Sequence, residues 1–369
     1  MVELADIFRA ASPAYLAKYG ERILPSHKRA IADIILCRTR ALGGKTYYCE
    51  PCEEYRYSYH SCKNRSCPKC GNDDATRWIA AREALLLPVP YYLVTVTLPS
   101  ELRPVARKNQ KLIYNLMLKT AAEAIQKLAR DPQWLGGEVG IIGILQTWAR
   151  DMRYHVHAHF IVPAGGLSPD GKRWLPVQRR YFMPQRALAD IFRGKFRDAL
   201  EKVTSNEEEE TKLFDQVPEK VWSTQWVADV KSVGTGRSAI KYLAPYIFRI
   251  AISNKRITRF KDGEVTFNWQ DNKDIWHSKT LEAEKFMSCF LQHVLPQGFV
   301  KVHYYGFLST CKRQMLEDIK KLFENVPDES GTKPSDTLVT PELRVISCPK
   351  CGKPMVFIAE IRSERNRSP

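Results

Sequence analysis

Three histidines alternate with apolar residues in the segment YHVHAHFIVP, residues 154–163. In a β-strand, residues two apart point to the same side, so His155, His157 and His159 share one face and the apolar residues take the other. Strict alternation of this kind predicts a strand. A neutral imidazole is also the commonest metal ligand in proteins. The segment is therefore either a metal site or a solvated row of imidazoles, and the spacing alone leaves both open.

A glutamine on the preceding predicted strand offers a third ligand. The segment EVGIIGILQTWAR is followed by too few residues for a crossover, so this strand and the histidine strand are predicted to pair antiparallel. Gln146 then falls opposite His157 or one pair away. Two imidazoles and one amide oxygen, with open positions, suit Mg²⁺ or Mn²⁺ acting on a phosphate. An ordinary strand-face amide is the alternative interpretation of Gln146.

Two tyrosines four residues apart offer a nucleophile for such a site. Tyr242 and Tyr246, in AIKYLAPYIFR, lie on one face of a predicted helix. A tyrosine hydroxyl that attacks a phosphodiester forms a covalent phosphotyrosine and conserves the bond energy for rejoining. Pro245 removes a helical hydrogen bond between them, so the helix is predicted to kink or end there. Packing is the alternative interpretation of two tyrosines at this spacing.

Two C-x-x-C pairs near the N-terminal end predict a structural zinc. The four thiols are those of Cys49, Cys52, Cys67 and Cys70. The segment around them has no usable apolar period, and bound zinc would supply its folding energy. Cys62 and His60 lie between the pairs, so either could replace one ligand, and a second metal is possible. Arg65 and Lys69, beside the cysteines, are candidate phosphate contacts.

A third C-x-x-C pair, Cys348 and Cys351, lies near the C-terminal end after the Pro- and Ser-rich segment NVPDESGTKPSDT. Two thiolates do not complete a tetrahedral zinc site. Cys311 and His303 are candidates to complete it. A plain thiol and a surface imidazole are the alternative interpretations of these two residues.

The elements that position these residues follow the order β-α-β-β-α-β. Around the histidine strand the predicted order is YYLVTVTLP, a long helix over about 101–130 with Pro104 in its first turn, EVGIIGILQTWAR, YHVHAHFIVP, the helix PQRALADIFRGKFRDALEKV, and the strand VWSTQWVADVKSV. This order predicts an α+β, ferredoxin-like antiparallel sheet with helices on one face and the other face free for a site. A hairpin is predicted at Asp262–Gly263, and Ser26 is the predicted N-cap of an early helix.

Three units are expected along the chain. Residues 1–90 form an N-terminal helical and zinc-binding domain, 91–306 the sheet domain that carries the histidines and tyrosines, and 307–369 a C-terminal helix, linker and small cysteine-containing element. The division follows the change from the cysteine-rich segment to periodic strands and helices, and then to the Pro- and Ser-rich linker.

Composition indicates a polyanionic partner. The chain has 369 residues, a formal net charge of +16 and a pI near 9.3, which favours nucleic acid before membrane. No run of about 18 apolar residues is present and the first residues do not read as a secretory signal, so a cytoplasmic, nucleoid-associated protein is expected. In that reducing compartment the ten cysteines are predicted to be metal ligands and buried thiols.

The combination of these motifs resembles the rolling-circle insertion-sequence transposases, the two-tyrosine class of the HUH endonuclease superfamily. The resemblance covers nearly the whole chain: YYCEPC to SCPKCGN, QTWARDMRYHVHAHFIVPAGGLSPDG, YLAPYIFRIAISNKRI and LQHVLPQGFVKVHYYGFLS. It implies that His157 and His159 hold a divalent metal, with Gln146 and His155 as further candidates, and that Tyr242 and Tyr246 are the nucleophiles.

The resemblance implies a single-strand DNA nuclease and strand transferase. One end of a mobile element, as single-stranded or hairpin DNA, is cut to a 5′-phosphotyrosine and rejoined to target DNA without ATP or another small-molecule cofactor, and a homo-oligomer is possible. Basic and aromatic residues are candidates for holding the strand by charge and base stacking, and a solvated basic face is the alternative interpretation; they are Lys172, Arg173, Trp174, Arg179, Arg180 and Tyr181. Two alternatives remain: a non-catalytic zinc-dependent DNA-binding regulator or transposase remnant, and a plasmid replication initiator or relaxase.

Overall fold

The computed structural model describes residues 2–70, 78–79, 81–178, 182–205, 213–236, 238–241, 250–324 and 346–364. Its α-helices are α1 (Leu4–Tyr19), α2 (Pro25–Leu36), α3 (Arg103–Lys108), α4 (Gln110–Arg130), α5 (Gln185–Thr204), α6 (Lys220–Ser223), α7 (Ala283–Leu291) and α8 (Arg313–Glu324). The strands are β1 (Gly44–Cys49), β2 (Glu54–Tyr59), β3 (Pro90–Thr97), β4 (Ile141–Trp148), β5 (Tyr154–Pro163), β6 (Gly165–Leu167), β7 (Trp174–Pro176), β8 (Val227–Thr235), β9 (Ile257–Lys261), β10 (Glu264–Gln270), β11 (Trp276–Glu282), β12 (Val302–Tyr305) and β13 (Val356–Ile361). The predicted α+β class with antiparallel sheets is confirmed.

The largest sheet has five strands in the order β12-β4-β5-β3-β8, with every neighbouring pair antiparallel. Four of its strands, β3, β4, β5 and β8, are those of the predicted β-α-β-β-α-β unit, and β12 is added at the β4 edge. The connection from β3 to β4 contains α3 and α4, and the connection from β5 to β8 contains α5. The long predicted helix is divided at Asn109, while Pro104 lies in the first turn of α3, as predicted.

One face of this sheet is covered by helices. Side chains of α4 and α5 pack in one apolar cluster with alternate residues of the strands, among them Val94, Ala158 and Phe160. The alternation of β5 therefore places the apolar residues in the main core and turns His157 and His159 to the other face.

The other face is not wholly free, which corrects the expectation from the sequence. Ile142, Ile144 and Ile161 also point to it, and they pack in a second cluster with Phe307, Leu308, Leu316 and Ile319 from the segment that contains α8. The apolar residues on this face need burial, and the chain after β12 supplies it.

The N-terminal helices pack on a second sheet rather than on the first. α1 and α2 share a cluster with α7 and with Val265 and Phe267 of the β11-β10-β9 sheet. Ser26 is not the N-cap of α2, because the helix begins at Pro25 after Leu24. Proline suits that first position, since the N–H it lacks would have no helical partner there.

Several element boundaries differ from the prediction. The hairpin at Asp262–Gly263 is present, and both residues have positive φ, 53° and 76°. Residues 220–223 are helical, so the strand predicted from VWSTQWVADVKSV begins only at Val227. β11 was not predicted, and α7 begins after it at Ala283. No helix within the described ranges combines the length and the apolarity needed to cross a bilayer.

The C-terminal strand lies beside the N-terminal zinc segment. β13 pairs antiparallel with β1, and β1 pairs with β2, which gives a three-stranded sheet that we call the ribbon sheet. α8 lies on the five-stranded sheet, so the chain passes from one sheet to the other between 324 and 346. Residues 44–59 and 356–361 therefore meet in the ribbon sheet.

Candidate active site and zinc centres

The candidate active site is built by the register of three strands. Gln146 on β4 pairs directly with His157 on β5, as the antiparallel pairing predicted. On the other side of β5, Thr95 of β3 pairs with His159. Because directly paired residues of antiparallel strands point to the same side, the two histidines, the glutamine and the threonine form a polar patch on one face.

The two histidines are held as uncharged rings. The Nδ1–H of His157 donates to the carbonyl oxygen of His155 at 2.9 Å, which leaves the Nε2 lone pair for a ligand. The Nδ1 of His159 lies 3.0 Å from Oγ1 of Thr95. Burial lowers the pKa of His157 to about 4 and, with His157 and Lys231 nearby, the pKa of His159 to about 3. Protons therefore do not compete with a cation for these rings at neutral pH.

Gln146 presents an unused acceptor at the same place. Its Nε2 donates to the carbonyl oxygen of Trp148 at 3.0 Å, which fixes the orientation of the amide. Its Oε1 is buried and has no hydrogen-bond partner among the described residues. A buried acceptor of this kind needs a donor or a cation. Two neutral imidazoles and an amide oxygen therefore fit a divalent ion such as Mg²⁺ or Mn²⁺.

His155 does not complete this donor set in the structure. A β-bulge separates the pair Gln146–His157 from the pair Trp148–Tyr154, so His155 and Val156 together oppose Thr147. The ring centroids of His155 and His157 are 4.9 Å apart. In the described ranges, however, only cysteines form a group of three or more His, Cys, Asp or Glu ligand atoms within 4.8 Å of one another. The bulge breaks the alternation on which the prediction of three equivalent rings rested.

Cations lie around the polar patch. Arg103 and Arg153 are close enough to lower the pKa of His155, after burial as the first cause, and Lys231 acts on His159. The Arg153 and Lys231 side chains are exposed and ion-paired with Asp151 and Asp229. The rim of the patch can therefore contact phosphates from solvent.

Tyr242 and Tyr246, the predicted nucleophiles, lie outside the described residues. The described residues on either side of their segment can be located. Ala239 belongs to the buried cluster that contains Leu93 and Ile161, on the histidine-bearing face. Ala251 packs in the cluster that contains Trp148, at the end of β4.

The cysteines form two four-thiol clusters rather than the single predicted one. The first consists of Cys37, Cys62, Cys67 and Cys70, and the second of Cys49, Cys52, Cys348 and Cys351. The prediction of one site from Cys49, Cys52, Cys67 and Cys70 was therefore wrong in its grouping. Each C-x-x-C pair has a different partner, because the short strands β1 and β2 carry the two pairs away from each other.

Both clusters fit zinc. Four sulfurs at about 2.3 Å from a tetrahedral zinc lie about 3.8 Å from one another. The Sγ atoms of Cys37 and Cys70 are 3.6 Å apart, those of Cys62 and Cys70 are 3.7 Å apart, and those of Cys49 and Cys351 are 3.6 Å apart. In the second cluster the backbone N–H groups of Cys351 and Lys350 point at the Cys348 thiol and lower its pKa to about 6. Such a thiol is readily available as a thiolate ligand.

Cys311 and His303 do not complete the C-terminal pair, in agreement with the alternative interpretation of each as a thiol or imidazole outside the site. Cys311 is exposed, with its Sγ 3.2 Å from Oγ of Ser309, and His303 has its Nε2 2.9 Å from the carbonyl oxygen of Val300. Neither reaches Cys348, because the ribbon sheet brings Cys49 and Cys52 to it instead. Among the alternatives for the first cluster, Cys62 is a ligand and His60 is not.

Two of the predicted phosphate contacts are engaged within the protein. Arg65 donates to the carbonyl oxygens of Phe299 at 2.7 Å and Pro296 at 2.9 Å, so it joins the zinc segment to the loop before β12. Lys69 is ion-paired with Glu3 of the N-terminal helix region. Lys172 and Arg173 are exposed in the turn between β6 and β7. Arg179 and Arg180 lie outside the described residues.

Sequence reasoning missed two residues that the structure places at these sites. Cys37 was assigned only to the end of a helix, yet it is the fourth ligand of the first cluster. Thr95 was assigned only to a buried strand, although polar residues in such a strand indicate a polar face. Thr95 and Thr97 are the polar residues, two apart, of an otherwise apolar strand.

Comparison with known families gives the class of protein. A family model described as "Transposase zinc-binding domain" matches residues 7–98, and one described as "Putative transposase" matches residues 140–315. The first match contains the whole of the Cys37 cluster and the N-terminal half of the Cys49 cluster. The C-terminal cysteines lie beyond both matches.

Curated relatives extend the similarity over the whole chain. "Putative transposase y4qJ" of Sinorhizobium fredii is 34% identical over 97% of this chain and 95% of that relative. "Transposase for insertion sequence element IS801" of Pseudomonas savastanoi pv. phaseolicola is 25% identical over 90% of this chain and 83% of that relative. No solved structure matches the chain. The chain belongs to the rolling-circle insertion-sequence transposases of the HUH class that carry an N-terminal zinc-binding domain, as the sequence motifs indicated.

Proposed function

We propose that this transposase cuts and rejoins single-stranded ends of a mobile element through a 5′-phosphotyrosine, with Tyr242 and Tyr246 as the nucleophiles. The observation that carries the proposal is the direct pairing of Gln146 with His157, which puts a buried, unpartnered amide oxygen beside an uncharged imidazole. This donor set lies on a sheet whose strand order is that of a ferredoxin-like HUH domain.

His157, His159 and Gln146 are the proposed holders of Mg²⁺ or Mn²⁺. When bound, such an ion polarises the scissile phosphate and stabilises the charge that develops during attack. His157 contributes through Nε2, because its Nδ1–H is already donated to the His155 carbonyl oxygen. Gln146 contributes Oε1, because its Nε2–H already donates a hydrogen bond to the carbonyl oxygen of Trp148.

The exposed cations of the rim are proposed to position the DNA strand. Arg153 and Lys231 approach the histidines from opposite sides of the patch, at the β4–β5 turn and on β8. Each is paired with a carboxylate on the same element, so a phosphate would replace or share that partner. Positioning of this kind lowers the barrier by holding the scissile bond near the nucleophile.

The placement of the residues that flank the tyrosine segment supports its assignment as the source of nucleophiles. Ala239 packs with Leu93 and Ile161 on the histidine-bearing face, and Ala251 packs beside Trp148 at the end of the strand that carries Gln146. The described residues on both sides of the segment that contains Tyr242 and Tyr246 therefore pack in apolar clusters that include residues of β3, β4 and β5.

We propose that the chain divides into a zinc unit, residues 1–90, and a catalytic unit, residues 91–306. The C-terminal segment, residues 307–369, packs against both. The proposed DNA partners are single-stranded or hairpin element ends and a target strand. A homo-oligomer would bring two sites to the two element ends.

The test is a covalent-adduct assay. Purified protein is incubated with Mn²⁺ or Mg²⁺ and end-labelled single-stranded oligonucleotides from the element ends, and denaturing gels report protein–DNA adducts. Wild-type protein and each single Tyr→Phe variant are expected to show which hydroxyl attacks, and the double variant of Tyr242 and Tyr246 is expected to give no adduct. Tyr55→Phe, an exposed tyrosine of the ribbon sheet, is the matched control and keeps the adduct.

Each remaining outcome favours one of the alternatives. DNA binding without an adduct on any end sequence would identify a DNA-binding regulator and would reject the nuclease. Cleavage of a plasmid origin in preference to element ends would identify a replication initiator or relaxase. An adduct that survives in the double variant would remove the two tyrosines from the mechanism.

A further inference from the structure

The β11-β10-β9 sheet has one buried face and one exposed face. Val265 and Phe267 of β10 are fully buried against the N-terminal helices and α7. The exposed face carries four cross-strand rows: Gln270 with Trp276, Asn268 with Ser278, Arg259 with Thr266 and Thr280, and Lys261 with Glu264 and Glu282. The three rows nearest Trp276 thus consist of uncharged hydrogen-bonding side chains, one cation and one tryptophan, and the two carboxylates lie at the opposite end of the face.

The turn between β10 and β11 holds two apolar side chains in solvent. Trp276 is 64% exposed, the largest value for a large apolar residue in the described ranges, and Ile275 is 54% exposed. A rigid, exposed indole has a large flat surface and loses little entropy on binding. Ile275 beside it extends this apolar surface.

The turn is fixed by a single carboxylate. Asp271 accepts hydrogen bonds from the backbone N–H groups of Lys273 at 2.8 Å and Ile275 at 3.0 Å. Its other oxygen lies 2.9 Å from Nε2 of His277. The Asp271 carboxylate is thus occupied within the protein, whereas Lys273 and Asp274 are exposed. The position of Trp276 is set before any ligand binds.

The same turn is attached to the candidate active site. Arg150, in the β4–β5 turn that joins Gln146 to the histidine strand, donates through Nη1 to the carbonyl oxygens of Asp271 at 2.6 Å and Gln270 at 3.3 Å. Arg256, which precedes β9, donates to the carbonyl oxygen of Arg150 and to that of Asn268. A ligand on this turn would therefore lie beside the loop that supports the metal ligands.

We propose that Trp276 and Ile275, with the exposed face behind them, bind unpaired nucleobases of the DNA strand next to the cleavage site. Bases stack on aromatic rings without sequence preference, and uncharged Asn, Gln, Ser and Thr side chains can hydrogen-bond base edges. Arg259 and Lys273 provide the cations for the backbone, in a chain whose formal net charge is +16. The inference rests on the proposed function, since it assumes that the substrate strand is single-stranded.

Binding is tested with labelled single-stranded oligonucleotides and with duplexes of the same sequence, by fluorescence anisotropy. The measurement is made without divalent metal and in the Tyr242→Phe, Tyr246→Phe background. Trp276→Ala is expected to weaken single-strand binding about 5- to 100-fold, the range of one lost base stack. Trp276→Phe is expected to recover most of this loss. Duplex binding should not change, because duplex bases are already stacked on one another.

Phe357→Ala is the matched control, since Phe357 is a half-exposed aromatic residue of the ribbon sheet. Unchanged single-strand binding by Trp276→Ala would overturn the inference, as would an equal loss in Phe357→Ala or an equal loss on duplex DNA. A change of oligomeric state in Trp276→Ala without a change in DNA binding would assign the turn to a protein contact instead. Because no cleavage is measured, these results stand whether or not the adduct assay succeeds.

Discussion

At the scale of single residues, the histidine patch depends on the groups that orient its ligands. Thr95 lies 3.0 Å from Nδ1 of His159 and fixes the ring from the neighbouring strand. Partners of this kind set the tautomer and the direction of the ligand, and their loss typically weakens metal binding about 10- to 100-fold.

Thr95→Val is therefore expected to lower the affinity for Mn²⁺ and the rate of adduct formation by about 10- to 100-fold. Valine has nearly the same shape, so the fold is retained. Titration of Mn²⁺ by electron paramagnetic resonance measures the affinity directly. Thr95→Ser keeps the hydroxyl and is expected to stay near wild type, and an equal loss in the serine variant would argue against a hydrogen-bonding role.

A second residue-scale prediction concerns His293, which is buried between Thr147 and Met152. Burial lowers its pKa from 6.5 to about 4. The unfolded chain takes up the proton near pH 6.5 and the folded chain only near pH 4. The contribution of the neutral His293 side chain to the free energy of unfolding is therefore complete above pH 6.5 and is lost as the pH falls toward 4.

His293→Gln is expected to reduce the fall in unfolding free energy between pH 7.5 and 4.5, by at most about 3 kcal/mol from a shift of this size. Urea unfolding of both proteins at the two pH values provides the measurement. If the variant and the wild type lose the same stability on acidification, His293 does not carry this pH dependence.

At the scale of elements, the ribbon sheet depends on both ends of the chain. The Cys49 cluster takes two thiols from the β1–β2 connection and two from the segment before β13. The Cys37 cluster is built wholly from residues 37–70. Zinc bound by Cys348 and Cys351 alone would be incompletely coordinated, because two thiolates do not fill a tetrahedral site. The C-terminal segment therefore needs Cys49 and Cys52 to complete its metal site.

Zinc content is expected to be two ions per chain, one per cluster. Double substitution of Cys348 and Cys351 by Ser should remove one ion and release β13, while Cys62→Ser should remove the other. Metal analysis after gel filtration gives the stoichiometry, and amide hydrogen exchange reports on β13. Cys289→Ser and Cys311→Ser are the controls and should keep both ions; a loss of zinc in either would mean that the ligands are grouped differently.

At the scale of the whole molecule, the many cations serve different purposes. Arg65 is exposed, yet its guanidinium donates to two backbone carbonyls of the loop before β12, and partial desolvation lowers its pKa. Lys172 and Arg173 are directed outward. The net charge therefore does not by itself identify the cations that bind DNA, since Arg65 instead joins the zinc segment to the loop before β12.

Arg65→Ala is expected to lower the free energy of unfolding by about 0.5–1.5 kcal/mol, because one part-buried and one exposed carbonyl lose their donor. It should leave the salt dependence of DNA binding unchanged. Lys172→Ala should do the opposite, with the slope of log K against log salt reduced by about one if this lysine meets a phosphate. Urea unfolding and anisotropy at several salt concentrations separate the two effects. A shallower salt slope in Arg65→Ala would return this residue to the DNA interface.

The sequence by itself determined the local features of this protein. Alternation predicted the strand YHVHAHFIVP, and an apolar run predicted the buried strand YYLVTVTLP. The short connection predicted that Gln146 falls opposite His157 or one pair away, and the motif order predicted the family. These inferences succeed because strand period and hairpin pairing depend on residues close together along the chain.

Only the tertiary structure decided which distant residues share a site. Cys49 and Cys351 lie 302 positions apart and meet because β13 pairs with β1, which no local pattern encodes. The bulge opposite Thr147 sets His155 out of register with His157, and the loop before β12 accepts hydrogen bonds from Arg65. Which residues share a site depends on distance in space, and that distance exists only after the sheets have formed.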